Sequence, residues 1–229
     1  MLEVAQDVWR YMIQMIPLGL TALIGFVMML PARRRRLAGL GLTSSRRRET
    51  ALLLFVVFCA GLAALTLFPA RFWVYVCDFF LQHRQWEVAW KGCTLGSFYP
   101  SWAETAAGAA NLSDMLTPFQ EIRRALRAQR YWLLFMLLGN IIMFMPIGFF
   151  PALLFRRWRW WKSLLAGLCT SVTIEFIQFF IGRSTDIDDV ILNTAGALAG
   201  FWFFCLLRML FPKFTGKFQC MPRGGYYRG

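Results

Sequence analysis

Residues 163–182 read SLLAGLCTSVTIEFIQFFIG, twenty residues with a single charge, Glu175. At 1.5 Å of rise per residue, such a helix is about 30 Å long, the thickness of a bilayer's hydrocarbon core. Four more apolar blocks of similar length lie on either side, at about 11–31, 50–69, 131–155 and 190–211. The composition agrees with that reading. The chain is 58% hydrophobic and 16% charged, whereas an average soluble chain is about a quarter charged. The expected fold is an all-α integral membrane protein with about five transmembrane helices.

The basic residues then suggest an orientation, because short cytoplasmic loops accumulate Lys and Arg. With the amino terminus outside, the cytoplasmic segments are 32–49, 156–162 and the tail from Arg208 onward. These hold sixteen of the 25 basic residues and one acid, Glu49. The carboxy terminus is then cytoplasmic, and the net charge of +13 is mostly a topology signal. A nucleic-acid partner is not expected, since the arginine runs sit where membrane insertion needs them. Glu3 and Asp7 precede the first apolar block with no basic lead-in, so that block reads as a permanent helix and not as a cleaved signal.

Four regions follow. Residues 1–69 hold two helices and an Arg-rich loop. Residues 70–130 form an extracytoplasmic region, with an interfacial helix expected at 71–91 and loop at 92–112. There EIRRALRAQR, 121–130, is a short basic helix that anionic headgroups or an anionic ligand would suit. Residues 116–207 form a three-helix core, and 208–229 a basic tail. Cys59, Cys169 and Cys205 fall within spans and Cys220 in the tail, all read as free thiols. Cys77 and Cys93 share the outer region, where pairing is the alternative to free thiols. His83 is the only histidine and reads as a surface residue, so neither a metal nor another cofactor is expected.

The polar residues inside the spans are few and aligned. Ser171, Glu175 and Gln178 are spaced i, i+4, i+7 and share one helix face, with Glu175 about 3 Å beyond the centre of its block. Asp186, Asp189, Asn193, Gly196 and Gly200 step by three or four along the next span. Gly196 and Gly200 form a small-xxx-small pattern that admits a close neighbour. Ser184 or Thr185 is expected to cap that helix, with Asp186, Asp188 and Asp189 at the positive end of its dipole. In the span before, Asn140 precedes Pro146, Gly148 and Pro151, which are expected to kink or break the helix. Together these place Asn140, Glu175, Gln178 and Asn193 in the outer half of the bilayer, with Arg183 and the aspartates just above. A carboxylate facing lipid costs at least about 2.5 kcal/mol, so Glu175 must be protonated, paired or in a wet cavity. Gln178, Asn140 and Asn193 are its expected partners, with Arg183 as counter-ion.

At these residues the chain resembles the VanZ-like family of bacterial membrane proteins. The likeness runs from about 118 to 204, and more loosely from the second span. It rests on Pro118-Phe119, on Gly139-Asn140-Ile141 with Phe144, Pro146 and Gly148, and on Ser171, Glu175 and Gln178. It continues through Arg183, Asp186, Asp189, Asn193 and Gly196. The resemblance implies a multi-pass protein of the bacterial cytoplasmic membrane, associated with an envelope process on its outer face. It also implies an association with resistance to glycopeptide antibiotics, notably teicoplanin, without supplying a mechanism.

Binding is the favoured expectation. Asn140, Glu175, Gln178, Arg183, Asp186, Asp189 and Asn193 would line an outer pocket for an amphiphile, either a lipid-linked wall precursor or a lipoglycopeptide. Arg183 would pair with a phosphate or carboxylate, while apolar helix walls hold the chain. Membrane lipids are the other expected partner, and the oligomeric state is left open. In the alternative, an intramembrane enzyme, Glu175 is a general acid or base with its pKa raised by burial. A small transporter or flippase is a third reading, weakened by the lack of an internal repeat.

Overall fold

The computed structural model describes residues 2–68, 117–128, 131–180 and 186–222. Its long helices are α1 (Leu2–Gly39), α2 (Arg46–Leu67), α4 (Tyr131–Leu154), α5 (Trp160–Phe180) and α6 (Ile187–Leu210). A short helix, α3 (Gln120–Ala128), precedes α4, and a one-turn helix, α7 (Pro212–Thr215), follows α6. Five stretches are long and apolar enough to cross a membrane: Gln14–Gly39, Arg46–Leu67, Leu137–Leu154, Trp160–Phe180 and Ile187–Leu210. The expected all-α, five-span architecture is therefore observed among the described residues. The proposed interfacial helix at 71–91, the loop at 92–112, Cys77, Cys93, His83 and Arg183 lie outside them.

α1 is longer than the apolar block that announced it. It runs through Pro31 and Arg33–Arg36 to Gly39, because arginine is a good helix former and the arginines share no breaker until the glycines. The chain then turns at Gly41, whose positive φ of 66° suits a residue without a Cβ. Ser45 caps α2 by accepting the Arg48 N–H at 3.2 Å, and its hydroxyl donates to the Lys217 carbonyl at 2.8 Å. Leu42–Thr43 and Met221–Pro222 pair as two short antiparallel strands. The basic tail is thus folded back onto the α1–α2 turn. Arg33 and Glu49 form a 2.8 Å ion pair between α1 and α2 at the same end.

α4, α5 and α6 form the centre of the bundle, with α2 against them and α1 packed on α2. Phe144, Ile147, Ile174, Leu62 and Ala197 fill the middle of the interface. A second cluster, with Ala51, Ala152, Leu153, Leu154, Phe201 and Phe204, closes the end that carries the tail, where Phe218 packs against it. Much of the apolar surface of α1, including Ile24, Val27, Met28 and Met29, is exposed. That distribution suits a bilayer, in which lipid solvates such side chains.

The α4–α6 contact is made backbone to backbone. A Cβ added to Gly148 would collide with the Ala197 carbonyl, one on Gly196 with that of Ile141, and one on Gly200 with that of Met145. Three glycines on two helices thereby bring the main chains into contact, as the spacing of Gly196 and Gly200 predicts. Of the kink or break expected in α4, the break needs correcting. With Pro146 and Pro151 inside it, the helix nonetheless runs unbroken from Tyr131 to Leu154. Gly148 provides room for α6 where looseness was expected.

Candidate functional site

The polar residues of α4, α5 and α6 gather at the end of the bundle where α6 begins. Asp186 is the N-cap of α6, its backbone extended and its side chain accepting the Asp188 N–H at 2.9 Å. Asp186 takes the position for which Ser184 or Thr185 was expected, which corrects the capping expectation, and those two residues lie outside the described ones. A carboxylate there adds charge–dipole attraction to the cap hydrogen bond.

The N–H of Asp186 in turn donates to Glu175 Oε2 at 3.1 Å, so Glu175 ties α5 to the start of α6. Glu175 is only 6% exposed. Because α5 begins at Trp160, Glu175 lies about five residues, or ~7.5 Å, past the helix centre, farther toward its end than the apolar block implied. An ionised carboxylate is tolerable at that level, because a helix amino terminus supplies both a donor and a positive field.

The partners expected for Glu175 are engaged elsewhere. Asn140 donates to Asp189 Oδ1 at 2.6 Å, joining α4 to α6. Asn193 donates to Ser171 Oγ at 2.9 Å, joining α6 to α5. Gln178 reaches the opposite way and donates to the Thr66 carbonyl at 3.0 Å, near the end of α2. The structure therefore brings Asn140, Glu175, Asp186, Asp189 and Asn193 into one belt and turns Gln178 out of it toward α2. The Asn193 Oδ1, buried with the rest of its residue, has no hydrogen-bond partner among the described residues. Ser171 can satisfy either end of that amide, and the other end then stays open.

Asp188, which the sequence offers only as a charge for the helix dipole, is the most deeply placed of the described acids, 1% exposed. Its Oδ1 accepts the Phe119 N–H and its Oδ2 accepts the Ile122 N–H, the latter at 3.2 Å. Asp188 thereby caps α3 across a separation of nearly seventy residues. Phe119 has φ 66°, uncommon for a bulky residue, and the turn holds because its N–H is fixed on a carboxylate. The Pro118-Phe119 pair thus starts α3 and docks it on α6. Helical spacing could not reveal this, since Asp188 falls off the face shared by Asp186, Asp189 and Asn193. Ser171 and Thr66 were missed as partners for a related reason: a hydroxyl and a main-chain carbonyl carry no signal of their partner.

A family model described as VanZ/LLP1 matches residues 55–208, about two thirds of the chain. The chain belongs to the VanZ/LLP1 family. No curated protein and no solved structure matches it. The matched span takes in most of α2, the whole of α4 and α5, all but the last two residues of α6, and the belt. Among the described residues the VanZ/LLP1 region holds α2 in part, α4, α5 and α6 with α3 docked on α6, and the whole of α1 lies outside the match. Among the described residues no group of three or more His, Cys, Asp or Glu is placed to hold a metal ion.

Proposed function

We propose that this VanZ/LLP1 family member is a non-catalytic membrane protein of the bacterial cell envelope. It binds an amphiphilic, lipid-linked ligand where α6 begins, and it protects against an acylated glycopeptide such as teicoplanin when that drug is the ligand. The observation that carries the preference for binding is the bonding of the acids. Glu175, Asp186, Asp188 and Asp189 each hold a peptide N–H or an amide within the protein. An acid spent on holding a helix start is a poor proton donor to a substrate, because exchanging its proton would release the helix. Support for an amphiphile comes from two neighbours of the belt. The buried Asn193 amide keeps one end open to a polar group. On α5, Val172, Phe176 and Phe180 present an exposed apolar strip suited to an acyl or prenyl chain. Arg183 adds a cation for a phosphate or carboxylate in the segment between α5 and α6.

The test compares teicoplanin with its deacylated form in a susceptible bacterium with and without the full chain. Protection against the acylated drug only is expected, and the Asn193→Leu variant should lose it at unchanged membrane abundance. Equal protection against both forms would remove the acyl chain from the reading. Untargeted lipid analysis of the purified protein would then identify any resident ligand.

A further inference from the structure

We infer that the basic face of α3 is a binding surface for the phosphate of an anionic phospholipid, in the leaflet at which α6 begins. Arg123, Arg124 and Arg127 are spaced i, i+1, i+4, and with Gln120 they line one open concavity at the surface. All three arginines are exposed, and neither Arg123 nor Arg127 makes an ion pair among the described residues. The helix is two-sided. Phe119 and Leu126 are exposed on another flank, at 46% and 62%, with Ile122 half-buried between them. A nine-residue helix with guanidinium groups on one side and large apolar groups on the other matches the boundary between headgroups and acyl chains.

Two features hold it at that boundary. Asp188 fixes the start of α3 on the first turn of α6 through the Phe119 and Ile122 N–H groups. At the other end the chain enters α4 within three residues of Ala128, so α3 cannot move far from the mouth of the bundle. Asp188 sits at the amino-terminal end of α3, where both its oxygens are taken by the Phe119 and Ile122 N–H groups. Arginine is also the cation whose planar fork matches phosphate oxygens in pairs. Charge complementarity therefore favours a phosphate-bearing headgroup over a zwitterionic or uncharged one. This surface is separate from the belt, so the inference stands or falls independently of the amphiphile reading.

The experiment uses the full-length protein in dodecylmaltoside, with bound lipid counted by native mass spectrometry. Dioleoylphosphatidylglycerol and dioleoylphosphatidylcholine are the probes. Wild-type protein should retain the phosphatidylglycerol preferentially. Each arginine near an anionic headgroup contributes about fivefold, so R123Q/R127Q should weaken that retention on the order of twentyfold. R156Q/R157Q, at the other end of the bundle, should leave this site's retention unchanged, and R123K/R127K should keep part of it. The inference is overturned if wild type does not distinguish the two lipids, or if R123Q/R127Q retains phosphatidylglycerol as wild type does. Displacement by millimolar inorganic phosphate would overturn it too, because the surface would then serve a soluble anion. Should the glutamine variant not fold, the wild-type lipid comparison and the lysine variant still decide the matter.

Discussion

Glu175 and Asp188 divide the work that a sequence reading would assign to one acid. Glu175 accepts the Asp186 N–H on one oxygen, a contact that an amide oxygen can also make. Glu175→Gln is expected to fold and bind as wild type does, with thermal unfolding in detergent and the teicoplanin assay as measurements. Loss of activity at normal stability would instead favour acid–base chemistry at this residue. Asp188 is less replaceable, since both its oxygens hold the start of α3. Asp188→Ala strands two N–H groups and should cost about 1–3 kcal/mol. The loss should show as faster tryptic cleavage at Arg123, Arg124 and Arg127, all of them exposed. Asp188→Asn, which keeps one acceptor, should fall between wild type and alanine. Unchanged cleavage in Asp188→Ala would mean that α3 is held by something else.

The decisive contact at the scale of elements is α4 against α6. The Gly196 and Gly200 pattern announced a close helix, and Gly148 turned out to be the matching gap on the partner. Gly200→Ala drives a Cβ into the Met145 carbonyl, which a helix backbone cannot yield without moving. We expect a loss of about 1–3 kcal/mol, read as a lower midpoint of unfolding in detergent. Gly139→Ala is the control, because nothing lies within 4 Å of a Cβ there. It should be neutral or stabilise by up to about 1 kcal/mol. Equal effects at the two positions would show that the helices do not pack in this register. The proline pair of α4 teaches the complementary point. A breaker signal is legible in the sequence, yet α4 runs unbroken through both prolines, and membrane helices tolerate them where the surroundings re-satisfy the backbone.

For the whole molecule, the helices alternate so that the tail, the α1–α2 turn and the start of α5 share one end, and α3 and the belt share the other. By the expectation drawn from the sequence, the arginine runs put the tail end in the cytoplasm. A green fluorescent protein fused after Gly229 is therefore expected to fluoresce, and alkaline phosphatase fused at the same point to be inactive. Active phosphatase there would invert the orientation and move the belt to the inner leaflet. The belt would keep its geometry, but a ligand from outside would no longer reach it.

Length and apolarity alone determined that five of the described helices are long and apolar enough to cross a bilayer, because a hydrocarbon core demands about twenty apolar residues whatever surrounds them. Spacing alone also placed Asn140, Glu175, Asp189 and Asn193 on faces that meet, since helical periodicity is a local property. The tertiary structure decided the pairing. Glu175 looked from the sequence like an acid near the midplane in need of Gln178, Asn140 or Asn193. It is instead a carboxylate beside the start of α6, bonded to the Asp186 N–H, while Gln178 serves α2. Asp188, off the shared face, became the residue that docks α3. Which donor an acid meets depends on how the helices are set against one another in depth and rotation, and that is settled by glycine contacts between segments far apart in the chain.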